Sequence, residues 1–181
     1  MSGEPGLRRD AAANRARLVA TAERVFADGG TDVTMDDVAR AAGVGPATLY
    51  RRFHSKDDLV RAVLEGFFRR LITLADQAAA APPKQSLALF LATVGSEIAL
   101  QQGLAHRLWG ELAPRELIDE LEGRTAVILR AARTAGAAHE SVTVGDVAAA
   151  VRGMRGVAET GSGWERHLAF LLAGFRVGIE G

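Results

Sequence analysis

Cysteine is absent from the 181 residues, so the chain can form neither a disulfide framework nor a thiolate nucleophile or metal ligand. Long apolar runs are scarce too. The longest without a charge, Leu168 to Phe175, is far short of the roughly 20 residues that a membrane-spanning helix needs. The opening residues, MSGEPGLRRD, lack the apolar stretch of a secretory signal. A cytoplasmic, reducing setting with no membrane partner is therefore expected. Catalytic signatures are missing as well. The histidines at His54, His106, His139 and His167 do not fall at His-Glu-x-x-His spacing, and no Gly-x-Ser-x-Gly or Walker-type loop occurs. Carboxylates such as Glu120 and Glu122 lie on different helix faces and read as solvated surface. No metal and no cofactor is expected, although an enzyme assembled from scattered residues stays open.

Net charge is missing too: 22 basic residues balance 22 acidic ones. On its face this argues against a nucleic-acid partner, whose binding domains are usually basic. The distribution argues the other way. Arg40, Arg51, Arg52 and Lys56 gather in or beside the stretch AAGVGPATLYRRFHSKDDL, Ala41 to Leu59, while Asp28, Asp32, Asp36 and Asp37 precede it. A local patch, not the total, is what neutralises phosphates. An apolar share of 48% beside a charged share of 24% is the balance of a globular chain and excludes wholesale disorder.

What is present is helical periodicity, with no stretch that alternates apolar and polar residues as a half-buried strand would. The fold is read as all-α, with about nine helices. Leu18, Ala22, Val25 and Phe26 share one face of a first helix running from Ala11 to Gly29-Gly30. Thr34 with Asp37 caps a short second helix whose inward side is Met35, Val38, Ala39 and Ala42. Gly43 permits a tight turn, Val44 plugs the crossing, and Pro46 suits the first turn of a third helix through Phe53. Ser55 and Asp58 open a long fourth helix, ended by Pro82-Pro83. Further helices are expected from Ser86 to Gln101, around Leu104 to Leu112, and from Pro114 to Gly136. Two more start at Thr143 with Asp146 and at Ser162 with Glu165. The organisation is bipartite, residues 1–56 forming a three-helix unit and 57–181 a larger helical body.

A helix held across another by a glycine turn is the geometry that presents an exposed helix to the DNA major groove. Leu49 and Phe53 face inward, which leaves Ala47, Thr48, Tyr50, Arg51, Arg52 and His54 for the other sides. Thr48 can bond a base edge or meet a thymine methyl, and Arg51 can take a guanine in bidentate fashion. Tyr50, Arg52, His54 and Lys56 can reach phosphates.

The run TMDDVARAAGVGPATLYRRFHSKDDLVRAVL, Thr34 to Leu64, resembles the DNA-binding signature of TetR/AcrR-type bacterial transcriptional regulators. LVATAERVFADGG, Leu18 to Gly30, resembles the helix before it. The resemblance covers about the first third of the chain. It implies a small helix-turn-helix domain, a variable helical ligand-binding body and a homodimer made by the last two helices. It places Thr34 and Met35 where the second helix meets the DNA backbone, and Pro46, Ala47, Thr48 and Tyr50 on the reading face. Arg52 and Lys56 match phosphate-contacting positions. Gly45 starts the reading helix and offers no side chain there. Arg8 and Arg9 read either as an arm to the phosphates or as a flexible, solvated pair.

In the body, Ala149, Gly153 and Gly156 would let two helix backbones approach closely, while Leu168, Leu171, Leu172 and Phe175 form an apolar face on the final helix. These seven residues are expected either to pair with a second copy or to pack within the monomer. Phe67, Phe90, His106, Trp109, Glu111 and Met154 are candidates for the lining of an effector pocket, or for core. The function expected is that of a ligand-responsive regulator, a homodimer on double-stranded palindromic DNA. It would act as a repressor released by an unidentified small molecule that shifts the fourth helix. An architectural DNA-binding protein with no effector, or a helical enzyme, is the alternative.

Overall fold

A computed structural model of the chain describes residues 4–100, 112–159 and 163–178. Among the described residues there are eight α-helices and no strand. They are α1 (Glu4–Gly29), α2 (Met35–Ala42), α3 (Pro46–Arg52), α4 (Lys56–Ala79), α5 (Pro83–Ala99), α6 (Arg115–Thr134), α7 (Val144–Glu159) and α8 (Trp164–Val177). The helix expected around Leu104 to Leu112 lies outside the described residues but for its last position. No helix among those described is long and apolar enough to cross a membrane.

Helix starts differ from expectation for local reasons. The first helix begins at Glu4 rather than Ala11. Pro5 sits in its first turn, where a missing N–H costs nothing, and from Leu7 to Phe26 no glycine or proline interrupts it. Arg8 and Arg9 therefore belong to helical backbone, not to a loose arm, and the Arg9 side chain is exposed. The last helix begins at Trp164 with Gly163 at its cap and no side-chain cap bond; Ser162, expected to cap it with Glu165, lies outside the described residues. The Thr143–Asp146 cap does form. The Thr143 N–H and hydroxyl donate to Asp146 Oδ2 at 2.7 and 2.6 Å, and the Asp146 N–H donates back to Thr143 Oγ1 at 3.2 Å. α5 starts at Pro83, three residues before the expected Ser86, because proline is tolerated at the first helical position.

The chain divides into two compact units. Among the described residues, 4–66 with 112–113 form one, and 67–100, 114–159 and 163–178 form the other. In the first, α2 packs on α1 and α3 on α2. Their buried side chains, Leu18, Ala22, Phe26, Val38, Ala39, Leu49 and Phe53 among them, make one cluster with Leu59, Val60, Val63 and Leu64 from the first half of α4.

α5 is the hub of the second unit, in contact with α6, α7 and α8. That position explains its sequence: no charge occurs between Lys84 and Glu97, and Leu87, Phe90, Leu91, Val94, Gly95 and Ile98 are all buried. A helix covered on most sides has little face left for polar groups. Ser86, buried with them, donates its hydroxyl to the Pro83 carbonyl at 3.0 Å. Gly95 permits the closest of these packings, since a β-carbon there would stand 2.4 Å from the Trp164 ring. Gly95→Ala is accordingly expected to destabilise the protein by about 1–3 kcal/mol through overpacking, read as a lowered denaturation midpoint with unchanged helix content.

Candidate nucleic-acid interface

The interface is built from the caps outward. Thr34 stands at the N-cap of α2, its N–H and hydroxyl donating to Asp37 Oδ2 at 3.0 and 2.6 Å, and its Oγ1 accepting the Asp37 N–H at 3.2 Å. These bonds lower the Asp37 pKa from its ordinary 3.8, the Thr34 side chain contributing most, then the Thr34 backbone, with Arg40 adding to it. α2 ends on Gly43 at φ 67°, a left-handed conformation natural to glycine. There the Gly43 N–H donates to the Arg40 carbonyl and the Val44 N–H to the Ala39 carbonyl, at 3.1 and 3.0 Å. That pair of bonds is a Schellman closure, and it turns Val44 back against the buried cluster. Gly45 then caps α3, and Pro46 takes its first position.

α3 has only seven residues, and Leu49, with no exposed surface, pins it to the core. Phe53, 2% exposed, closes its far end. Pro46, Ala47, Arg51, Arg52 and His54 are exposed, Tyr50 is 47% exposed and Thr48 half-buried. A tyrosine left this open by a chain that buries its other aromatic groups around it is not serving the core.

The cations near this face are engaged differently. Arg40 Nη1 lies 2.9 Å from Asp37 Oδ1. Lys56 is half-buried with its ammonium 5.9 Å from the Phe26 ring centroid, and the Arg15 guanidinium lies 5.3 Å from that of Phe53. Arg51 and Arg52 make no ion pair among the described residues. Their charge is open to an external anion.

Two family models match. Residues 18–63 fit the tetR family of bacterial regulatory proteins. Residues 82–177, more than half of the chain, fit the C-terminal domain of SbtR-like transcriptional regulators. The chain belongs to the TetR family of bacterial transcriptional regulators.

A TetR transcription regulatory protein from Mycobacterium vanbaalenii, of solved structure, is 33% identical and superposes with a TM-score of 0.70 over 94% of this chain and 99% of its own. The TetR-like regulator LfrR of Mycobacterium smegmatis, solved in complex with proflavine, is 21% identical at a TM-score of 0.68, covering 93% of this chain and 97% of its own, and shares the fold. An HTH-type transcriptional regulator of Staphylococcus aureus is 35% identical over 68 residues, 37% of each chain. The chain thus spans little more than a third of that curated relative's length. With the family assigned, the enzyme alternative falls.

In this TetR-family chain the residues expected at the DNA backbone behave unequally. The Thr34 donors and one Oγ1 lone pair are already committed to the cap, and the Met35 side chain is 6% exposed. What this corner offers an anion is the backbone amide of Met35 at the helix start, one of the donors a helix leaves unpaired. Arg15 was not anticipated as part of this region. Its position one turn before Leu18 is the only signal for it in the sequence.

The residues expected in the body are also placed. Ala149, Gly153 and Gly156 are exposed on α7; on α8 Leu168 is buried, whereas Leu171, Leu172 and Phe175 are half-buried. A cleft of about 400 Å³ lies along Ala149, Gly153, Leu171 and Phe175, with Phe170, 64% exposed, at its side. Phe170 falls off the spacing of the α8 apolar stripe and had no periodic signal. Phe67, Phe90 and Met154 are core residues that line neither this cleft nor one of about 550 Å³ beside Pro83, Val127 and Arg130. His106, Trp109 and Glu111 lie outside the described residues.

The capping geometry predicts an acid signature. Because the folded pKa of Asp37 is lowered, its stabilisation is complete above the ordinary value of 3.8 and is lost as pH falls through the lowered folded value. Denaturation midpoints followed from pH 7 to 2 should drop in that range, and Asp37→Asn should flatten part of the drop. Gly43→Ala, placing a β-carbon at φ 67°, should cost about 1 kcal/mol and can be read in the same assay.

Proposed function

We propose that the protein is a homodimeric repressor that binds a palindromic operator through its two α3 helices and leaves it when a small molecule binds the second unit. The observation that carries the reading is the α3 face itself. Its anchor is fully buried while Tyr50, Arg51 and Arg52 stand open, on a helix small enough to enter the major groove. Pairing through α7 and α8 is supported by the exposed small residues of α7 and by Phe170, an apolar ring that a lone chain leaves in water. A twofold dimer would set the two reading helices roughly 34–36 Å apart, one turn of DNA.

The effector reading is supported by the proflavine complex of LfrR, carried over here as an analogy of fold. α4 contributes residues up to Gly66 to the first unit and residues from Phe67 to the second. A ligand that displaces the second part of α4 would therefore act on the helix that also helps bury Leu49. Coupling of a few kcal/mol moves operator occupancy by one or two decades.

Fluorescence anisotropy of the full chain on DNA upstream of its own gene, over a salt series, tests the DNA part. Salt-steep binding that prefers a palindrome is expected, with Tyr50→Ala and Arg52→Ala each weakening it and leaving the denaturation midpoint unchanged. Binding without sequence preference would instead leave the architectural reading. A ligand screen on the bound complex then reports release of the operator.

A further inference from the structure

The α3 helix carries two adjacent arginines that are both exposed and both without an ion pair among the described residues. Helix geometry separates them. Residues advance by about 100° around the axis, so Arg51, two positions past the buried Leu49, points about 160° away from the core. Arg52, three positions past it, points only about 60° from the core direction. Ala47, two positions before Leu49, shares the outward crest with Arg51. Thr48 and Tyr50 fall on the flanks at about 100°.

The crest is the part of a helix that reaches the floor of the major groove, and the flanks and back meet its walls, where the phosphates lie. Ala47 has no hydrogen-bonding group in its side chain. Arg51 is therefore the only side chain on the crest that can make a polar contact to a base edge. The neighbouring cations do not compete, since Arg40 is held by Asp37 at 2.9 Å and Lys56 is half-buried beside the Phe26 ring.

We propose that Arg51 sets the base specificity of this protein by pairing with O6 and N7 of one guanine in each operator half-site, while Arg52 serves the phosphate backbone. The chemistry selects guanine. A guanidinium only donates, and guanine alone presents two acceptors side by side in the major groove. Adenine sets a donor beside its acceptor, thymine has one acceptor with a methyl group, and cytosine has a donor. The inference rests on the operator-binding reading above.

Selection of bound sequences from a random DNA pool by the full-length protein tests both levels. The wild type should select a motif with one invariant G·C pair at the same place in each half-site. Replacing that pair by A·T should weaken binding roughly ten- to a hundredfold. Arg51→Ala should select a motif degenerate at that pair and unchanged elsewhere. Arg51→Lys, which keeps the charge but loses the planar fork, should also lose most of the discrimination. Arg52→Ala should weaken all sequences alike and lower the slope of log affinity against log salt by about one, with the motif intact. If Arg51→Ala keeps the wild-type motif and only lowers the salt slope, Arg51 is a phosphate ligand and the proposal is overturned while the regulator reading stands. If the wild type selects no motif, both fail together. Unchanged denaturation midpoints establish that the exposed substitutions leave the fold intact.

Discussion

A helix of seven residues does not persist in water, because nucleation costs more than so few hydrogen bonds return. α3 exists because Leu49 and Phe53 are removed from solvent into a core assembled by α1, α2 and the first half of α4. Each such side chain contributes about 1.5–3 kcal/mol on burial, enough to offset the deficit of an isolated turn or two. Everything exposed on α3 is aimed by that anchorage. The capping box at Thr34 and the closure at Gly43 matter for the same reason, since they determine where α2 starts and stops and hence where Leu49 meets the core.

Charge follows the same division between holding and reaching. A chain of zero net charge presents a cationic surface by pairing or stacking some of its basic groups and leaving others open. Arg40 is tied to Asp37, whose carboxylate is in turn satisfied by Thr34. Arg15 and Lys56 lie against aromatic rings, which stabilises a cation without neutralising it. The acids before α3 are thus partly quenched within their own helix, and the open charge belongs to Arg51 and Arg52. Net charge was a poor guide here because phosphates respond to potential within a Debye length, not to a sum over the chain.

The second unit obeys a different constraint. α5 packs against α6, α7 and α8 and is nearly uncharged, so its identity as a central element was written in its composition. The faces of α7 and α8 were harder to assign. Small residues at Ala149, Gly153 and Gly156 are compatible with close packing inside the monomer or between copies, and periodicity does not distinguish the two. They are exposed in the single chain, together with Phe170. Leu168, of the same apolar stripe, is buried within it.

The sequence by itself determined the helices of the first unit, their caps and the family, because these depend on neighbours three or four residues apart. Thr34 reaches Asp37, Gly43 reverses the chain, and Pro46 starts a helix whatever surrounds them. Helix starts with weaker local signals slipped, as at Glu4, where no breaker stops the helix short, and at Pro83, a residue tolerated at the first helical position. Only the tertiary structure decided which outward groups are open and which are engaged. That distinction depends on partners distant in sequence: Arg15 beside Phe53, Lys56 beside Phe26, Trp164 against Gly95. Periodicity ranks the faces of a helix, but what covers each face is decided by helices that arrive from elsewhere in the chain.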